Sequence, residues 1–194
     1  MLNIAIFGSG SGSNYQAIAE AIAAGTLDAR IVCVIADVED AFILERARKN
    51  EHPAFYLDCA PFKSKLDGEA EQRAIQLIEE HGGDFIALAG FMRIVKPGLL
   101  RAFAGRIVNI HPSLLPNFPG LHAGRQALEA GAAETGCTVH FVDEGIDTGP
   151  ILIQKKVPVL ADDTEESLMN RIHEQEHIAY PEALRKIISD QQAG

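Results

Sequence analysis

In Val108-Asn109-Ile110-His111-Pro112-Ser113-Leu114-Leu115-Pro116, an apolar run ends in an amide and an imidazole two positions apart. The β-branched residues between Arg106 and His111 predict a strand, and alternate side chains of a strand share one face. Asn109 and His111 should therefore project together from the rim of a sheet, while their apolar neighbours pack behind them. Pro112 cannot continue the ladder and marks the end of the strand.

Strand-like and helix-like segments alternate on both sides of this stretch. The predicted strands are Leu2–Phe7, Ile31–Ile35, Ala54–Leu57, Phe85–Leu88, Arg106–His111, Thr138–Val142 and Ile151–Val159, and the predicted helices are Tyr15–Ile22, 41–51, 68–81, 123–131 and 164–189. Helical crossovers require a mainly parallel sheet with helices on both faces, in which ligands collect at the carboxyl ends of the strands. The turn between the last two strands is too short for a helix, so we predict that they run antiparallel. The predicted fold class is α/β, a Rossmann-like and mainly parallel sheet with an antiparallel strand late in the chain.

Composition limits the classes of protein that this chain can represent. With 194 residues, 47% of them hydrophobic, and no low-complexity linker, we expect one domain over residues 1–194. The net charge of −10 argues against broad binding to nucleic acid or to an anionic membrane. The first residues do not resemble a signal peptide, and no apolar run approaches the ~18 residues that span a membrane, so we expect a cytoplasmic protein. Three cysteines without a CxxC spacing predict structural thiols rather than disulfides or a zinc site.

A glycine loop, Gly8-Ser9-Gly10-Ser11-Gly12-Ser13-Asn14, joins the first predicted strand to the first predicted helix. We predict that Ser13 or Asn14 caps this helix and that the free N–H groups at its start bind a phosphate. A tight turn without a ligand is the alternative. The loop matches neither the GxGxxG of dinucleotide sites nor a P-loop with its lysine. Asp37 nevertheless stands where the ribose-binding acid of a Rossmann unit would be, which leaves a nicotinamide-dependent dehydrogenase open.

An amide donor, an imidazole and a carboxylate in one pocket would suit the transfer of an acyl group between nitrogen atoms. Asn109 and a protonated His111 would stabilise the negative acyl oxygen of the tetrahedral intermediate. Asp147 lies in the acidic turn 143–150; if it reaches His111, it would orient the imidazole, favour its charged form and accept the proton of the amine. Each residue also has a plainer interpretation, His111 as a strand-end histidine and Asp147 as a turn residue. The last helix is predicted to begin at an Asp163 cap, with Glu166 completing a capping box.

Several motifs together resemble the formyltransferases that use 10-formyltetrahydrofolate. The central one is Asn109-Ile110-His111-Pro112-Ser113-Leu114-Leu115-Pro116, followed by Pro119-Gly120 and by Asp143 to Gly149. Further matching segments keep the same order: Gly12 to Ile18, Ala89 to Ile94, Pro119 to His122 and Thr138 to Val142. They are most similar to the branch that formylates glycinamide ribonucleotide in purine synthesis, and the similarity covers nearly the whole chain. The resemblance implies the formyltransferase fold, 10-formyltetrahydrofolate as co-substrate, no metal, and direct attack of the nucleotide amine on the formyl group.

The resemblance also implies roles for individual residues. Asn109, His111 and Asp147 would form the catalytic trio, with His111 as proton donor and Asp147 raising its basicity. The nucleotide would be held by Gly12, Ser13 and Asn14 at its phosphate and by Glu176 at its ribose hydroxyls. The folate would contact Met92, Arg93, Ile94 and Val95, chiefly through their backbone, together with Lys65, Asn109 and Asp143. The N-terminal half would thus bind phosphate and nucleotide, and the C-terminal half would bind folate and carry catalysis. The implied partners are small-molecule substrates, and the implied assembly is a monomer or weak homodimer.

Two positions depart from the expected family pattern. Lys65 stands where the resemblance leads us to expect an arginine near the folate, and His173 stands where we expect a glutamine near the nucleotide. His173 also begins His173-Glu174-Gln175-Glu176-His177, which satisfies the HExxH pattern of zinc metalloproteases, although no convincing third ligand follows it.

Other enzymes and a non-enzyme remain as alternatives. A formyltetrahydrofolate hydrolase is the nearest, but the Ser13-Asn14 loop has a use only if the acceptor is phosphorylated. The acidic charge disfavours the methionyl-tRNA formyltransferases, which need positive surface for tRNA. A binding-only relative would be expected to lack Asn109, His111 or Asp147, and all three are present.

Overall fold

Nine strands and six helices account for the regular structure of residues 1–193, which the computed structural model describes. The strands are β1 (Leu2–Gly8), β2 (Ala29–Ala36), β3 (Ala54–Tyr56), β4 (Lys65–Leu66), β5 (Phe85–Leu88), β6 (Ile94–Val95), β7 (Ile107–His111), β8 (Glu134–Phe141) and β9 (Ile151–Pro158). The helices are α1 (Ser13–Ala23), α2 (Phe42–Lys49), α3 (Gly68–Glu80), α4 (Pro97–Ala102), α5 (Ala123–Glu129) and α6 (Glu165–Ala193). None of these helices is long and apolar enough to cross a membrane.

Seven of the strands form one sheet in the order β3-β2-β1-β5-β7-β8-β9. The pairings from β3 to β7 are parallel, and β8 and β9 are antiparallel to their neighbours, which confirms the predicted fold class. Each face of the sheet has its own hydrophobic cluster, because successive side chains of a strand point to opposite faces. In β1, Ile4 and Ile6 pack into one cluster and Ala5 and Phe7 into the other.

The strand register brings the polar residues of the first motif to one edge of the sheet. Leu88 at the end of β5 pairs with Asn109 of β7, so the carboxyl ends of these parallel strands lie side by side. The antiparallel strand β8 then places His140 opposite Asn109 and Thr138 opposite His111. Asn109 therefore has a neighbour on both β5 and β8, and His111 has one on β8.

The start of α1 differs from the prediction that Ser13 or Asn14 caps it. The N-cap is Gly12, which is left-handed with φ of 74°, and no side chain caps the helix. A Cβ atom at Gly12 would lie only 2.8 Å from the Cα of Ile43 in α2. Glycine is required here both by the backbone conformation and by the close approach of α2.

The start of α6 also differs from the prediction. The Oγ1 of Thr164 accepts a hydrogen bond from the Ser167 N–H at 3.1 Å, and the Oγ of Ser167 accepts one from the Thr164 N–H at 3.0 Å. A capping box therefore exists, but Thr164 and Ser167 form it rather than Asp163 and Glu166. Asp163 pairs instead with Arg171, at 2.9 Å between Oδ2 and Nη1. The helix extends to Ala193, beyond the predicted end at 189.

Three short elements have no counterpart in the sequence prediction. β4 and β6 are two residues each and pair in parallel with one another, and α4 has six residues. Elements of this length carry too few side chains to show a hydrophobic period. β6 nevertheless fixes Ile94 and Val95, which belong to the segment predicted to contact the folate.

Candidate active site

A cavity of about 670 Å³ opens at the carboxyl ends of β5 and β7. The predicted site residues that line it are Met92, Arg93, Ile94, Val95, Asn109, His111, Asp143 and Asp147. Met92, Leu121 and Ile146 expose more than half of their apolar side chains. The cavity therefore combines apolar walls with a few converging polar groups, as small-molecule sites commonly do.

The predicted contact between His111 and Asp147 is present. The distance from His111 Nδ1 to Asp147 Oδ2 is 3.3 Å, and the two side chains are only 7% and 10% exposed. The other ring nitrogen of His111, Nε2, lies 2.9 Å from the carbonyl oxygen of Phe118. Since a carbonyl and a carboxylate both accept, the ring can donate to both only when both nitrogens carry protons.

Asp147 is fixed by its backbone conformation and by several hydrogen-bond donors. It is left-handed, with φ of 56°, which aspartate tolerates better than most side chains. Its Oδ2 accepts a hydrogen bond from the Gly120 N–H at 2.9 Å. Burial alone would raise the pKa of Asp147, but contacts with His140, with the Gly120 N–H and with His111 outweigh burial and lower the pKa. The carboxyl group is accordingly held as a carboxylate.

His140 is a member of this cluster that the sequence analysis did not single out as a site residue. Its Nε2 lies 3.4 Å from the Asn109 amide nitrogen and 3.6 Å from Asp147 Oδ1, so it contacts two of the three predicted catalytic residues. Its Nδ1 donates to the carbonyl of Phe141 at 2.8 Å. The alternation of Thr138 and His140 on one predicted strand was the available signal, but the pairing of that strand with β7, and the register that places His140 opposite Asn109, were needed to use it.

The residues predicted to bind the nucleotide form a second group, and none of them is among the residues that line the cavity. Gly12 and Ser13 lie at the start of α1, and Asn14 in its first turn is buried. The Asn14 amide donates to Glu176 Oε2 at 2.8 Å, which joins α1 to α6 across 162 positions of the chain. The side-chain amide oxygen of Asn14, Oδ1, has no hydrogen-bond partner among the residues described, so the side chain retains an unused acceptor.

Glu176 is almost fully buried, with 4% of its surface exposed. Burial raises the pKa of Glu176 to about 7, although the hydrogen bond from Asn14 acts in the opposite direction. Near neutral pH the residue therefore exists in both protonation states, so it can donate or accept a hydrogen bond.

Arg93 and Asp37 form a buried ion pair that the sequence analysis did not predict. Arg93 Nε lies 2.6 Å from Asp37 Oδ2, and the side chains are 13% and 6% exposed. The other oxygen of Asp37 accepts a hydrogen bond from the Ser9 hydroxyl. Asp37 thus has both carboxylate oxygens engaged within the protein, which removes the basis for treating it as the ribose-binding acid of a dehydrogenase.

Lys65, predicted to lie near the folate tail, does not line the cavity. Its Nζ is 2.6 Å from Asp67 Oδ2 and lies 4.1 Å from the centre of the Phe62 ring. The backbone of Lys65 pairs with Ile94, which does line the cavity, so Lys65 stands one strand away from it.

The HExxH segment lies on α6. Glu176 within it points to Asn14, and His177 Nε2 is buried with no hydrogen-bond partner among the residues described. Within residues 1–193 no three His, Cys, Asp or Glu side chains are grouped as ligands for a metal ion.

Comparisons with known proteins relate this chain to formyl transferases. The model of the family described as formyl transferase matches residues 2–184. Phosphoribosylglycinamide formyltransferase from Bacillus subtilis (strain 168) is 41% identical over 188 residues, which cover 97% of this chain and 95% of that protein. The crystal structure of phosphoribosylglycinamide formyltransferase from Bacillus halodurans has a TM-score of 0.91 with this chain at 46% identity, covering 96% of this chain and 95% of that one.

A third relative is much longer. The trifunctional purine biosynthetic protein adenosine-3 of Drosophila melanogaster is 45% identical over 188 residues, which cover 96% of this chain. The match spans only 14% of the length of that relative. The similarity is therefore to one part of a multifunctional protein.

Proposed function

This chain belongs to the formyl transferase family, and on that premise we propose that it transfers the formyl group of 10-formyltetrahydrofolate to the amine of glycinamide ribonucleotide. The observation that carries the proposal is the His111–Asp147 contact at 3.3 Å, on the wall of a cavity with apolar sides. The names of the relatives from the two Bacillus species support the same substrate.

The proposed reaction is a direct attack of the nucleotide amine on the formyl group. The amine nitrogen of the nucleotide forms a bond to the formyl carbon, and the negative charge of the tetrahedral intermediate collects on the formyl oxygen. Asn109 and His111 donate hydrogen bonds to that oxygen, competing with the Phe118 carbonyl that now accepts from His111. Asp147 takes the proton of the attacking amine, directly or through water. The bond from the formyl carbon to N10 of the folate then breaks, and N10 receives the proton that Asp147 took from the amine, directly or through water, which yields tetrahydrofolate.

The two substrates occupy the two groups of residues described above. In the proposal the phosphate lies at the start of α1 against Gly12, Ser13 and Asn14, where free N–H groups and the helix dipole favour an anion. Glu176 faces the ribose hydroxyls. The folate extends along the backbone of residues 92–95 and under the loop that carries Asp143, with Lys65 near its glutamate tail.

The experiment that tests this function is a formyl-transfer assay on the purified protein with EDTA and without ATP. 10-Formyltetrahydrofolate is supplied with glycinamide ribonucleotide, or with water as the sole acceptor. We expect tetrahydrofolate and formylglycinamide ribonucleotide to appear in equal amounts, and tetrahydrofolate to form far more slowly without the nucleotide. Absorbance follows the folate, and mass spectrometry identifies the formylated product.

The same assay separates the alternatives. Tetrahydrofolate formed at one rate with and without the nucleotide would identify a hydrolase, and no tetrahydrofolate in either reaction would contradict the proposed function. A reaction that stops in EDTA and returns with zinc would instead support a metal at the HExxH segment.

A further inference from the structure

Asp37 stands at the centre of a partly buried network, and the proposed reaction gives Asp37 itself no role. Its Oδ1 accepts a hydrogen bond from the Ser9 hydroxyl at 2.5 Å, and its Oδ2 accepts one from Arg93 Nε at 2.6 Å. Arg93 Nη1 also donates to the carbonyl of Phe62 at 2.6 Å. Asp37 itself follows β2, so the network joins four separate segments of the chain, at Ser9, Asp37, Phe62 and Arg93.

The network connects the glycine loop with the wall of the cavity. Ser9 belongs to loop 8–14, which leads to the start of α1. Its hydroxyl oxygen accepts a hydrogen bond from the Met92 N–H at 2.9 Å, and its own N–H donates to the Gly90 carbonyl at 3.0 Å. Met92 and Arg93 both line the cavity. Ser9 and Asp37 therefore fix the backbone at Met92 and the side chain of Arg93 together.

The ion pair between Arg93 and Asp37 is favourable only while both partners are in place. Removing one partner leaves the other charge desolvated and unpaired, so the remaining side chain must move towards water. Movement of Arg93 would displace the backbone of the segment to which it belongs. Movement of Ser9 would release the Met92 N–H and change the path of the glycine loop.

We propose that Asp37 is a positioning residue that couples glycine loop 8–14 to cavity segment 92–95, so that binding at either site favours the binding-competent form of the other. The inference rests on the proposed function, because it assigns the nucleotide to the loop and the folate to the segment. By thermodynamic reciprocity, each ligand then tightens the binding of the other by the same factor.

The test is calorimetric titration with glycinamide ribonucleotide and with tetrahydrofolate, the latter under anaerobic conditions and without a formyl group to transfer. Each ligand is titrated alone and with the other at saturation, and the ratio of the two dissociation constants is the coupling factor. For the wild-type protein we expect a factor of at least about five. In Asp37→Asn we expect the factor to fall below about two and tetrahydrofolate alone to bind about tenfold more weakly, while the nucleotide alone binds within about twofold of wild type.

Two further variants separate positioning from a loss of fold. Ser9→Ala removes the hydroxyl without leaving a buried charge and should lower the coupling factor in the same direction. Asp40→Asn makes the same charge change at an exposed position three residues from Asp37 and should leave the factor unchanged. Thermal unfolding of all three variants shows whether they are folded at the titration temperature.

The outcomes distinguish this inference from the function on which it rests. A wild-type protein that transfers formyl groups but shows no coupling, or an Asp37→Asn protein that retains the wild-type factor, overturns the inference alone. Equal weakening of both ligands with unchanged coupling would make Asp37 a purely structural residue and also overturns it. A wild-type protein that fails the formyl-transfer assay overturns both proposals.

Discussion

The Asp147 carboxylate lies between two imidazoles, 3.3 Å from His111 and 3.6 Å from His140. Asp147→Asn keeps the shape of the side chain but removes the charge and one acceptor. Because the proposed role is to take a proton in the transition state, we expect kcat to fall by about 10²- to 10⁴-fold and KM for the nucleotide to change little. Steady-state rates of formyl transfer measure both quantities.

Glu144→Gln is the matched control for Asp147→Asn. Glu144 is exposed in the same loop and loses the same charge, so its variant should keep the wild-type kcat. A near-normal kcat in Asp147→Asn would contradict the proton-accepting role. An equal fall in both variants would indicate that the charge of the loop matters and not the contact with His111.

Glu176 should make the stability of the protein depend on pH. Burial raises its pKa to about 7 in the folded state, above the ordinary value of 4.5, so the folded protein holds the proton more tightly than the unfolded chain. The contribution is therefore fully present below about pH 4.5 and is lost as pH rises towards and beyond 7. Glu176→Gln stays neutral throughout, and its free energy of unfolding relative to wild type should rise by roughly 2–3 kcal/mol between pH 5 and pH 8. Urea unfolding at both pH values measures this difference.

Glu174→Gln controls for the loss of a carboxylate from the same helix. Glu174 is exposed, and its variant should show no such pH-dependent gain. If Glu176→Gln is no more stable relative to wild type at pH 8 than at pH 5, the carboxyl group at 176 is not held neutral by burial.

From the sequence, the role of Asp147 could be predicted only on the condition that Asp147 reaches His111. His140 was not predicted as part of the site. Asn109 and His111 share a strand, so the two-residue period places them on one face. Asp147 is 36 positions further along the chain, and its position depends on a left-handed backbone and on the Gly120 N–H. His140 reaches Asn109 through strand register, which the hydrophobic pattern of β8 does not define because β8 is buried along nearly its whole length.

At the scale of elements, the start of α6 gives a direct test of the observed capping box. Thr164→Ala removes the Oγ1 that accepts the Ser167 N–H, and we expect the free energy of unfolding to fall by about 1 kcal/mol. Glu166→Ala removes the side-chain acceptor that the sequence placed in the box, but Glu166 is exposed and its variant should keep stability within about 0.5 kcal/mol of wild type. Chemical denaturation of both variants measures the difference. A larger loss in Glu166→Ala than in Thr164→Ala would favour the predicted box over the observed one.

Sequence patterns located the main elements but not their ends. The α/β alternation and the antiparallel last strands follow from periodicity and loop length, and both are present. The predicted cap of α1 was wrong because Gly12 occupies the N-cap position, where the close approach of Ile43 requires a glycine. That approach is a tertiary contact, which the local sequence does not show. The predicted cap of α6 was wrong because Asp163, Thr164 and Ser167 all carry oxygens suited to a cap, so the sequence alone does not decide among them. Arg171, one helical turn beyond Ser167, takes Asp163 as its ion-pair partner.

At the scale of the whole molecule, the predicted nucleotide and folate halves are joined through one sheet. β5 from the first half pairs with β7 from the second, and the Tyr180 hydroxyl of α6 donates to the Leu88 carbonyl of β5 at 2.8 Å. Segment 92–95, predicted for the folate, lies in the first half of the chain. The assignment of nucleotide and folate to the two halves stays a prediction. The halves are not separate units, because the parallel sheet interleaves strands from distant parts of the chain and α6 packs back onto its beginning.

This continuity predicts that the two halves unfold together, and the cysteines provide a probe in each. Cys33 lies in β2 and Cys137 in β8, and both are buried and free. Burial raises the pKa of each thiol to about 12, so neither reacts with iodoacetamide until its strand is exposed. Brief labelling across a urea series, read by mass spectrometry of the separate peptides, should give one midpoint for both cysteines that coincides with the loss of helical circular dichroism. Labelling of Cys137 at lower urea than Cys33 would show that the β8–β9 half opens alone.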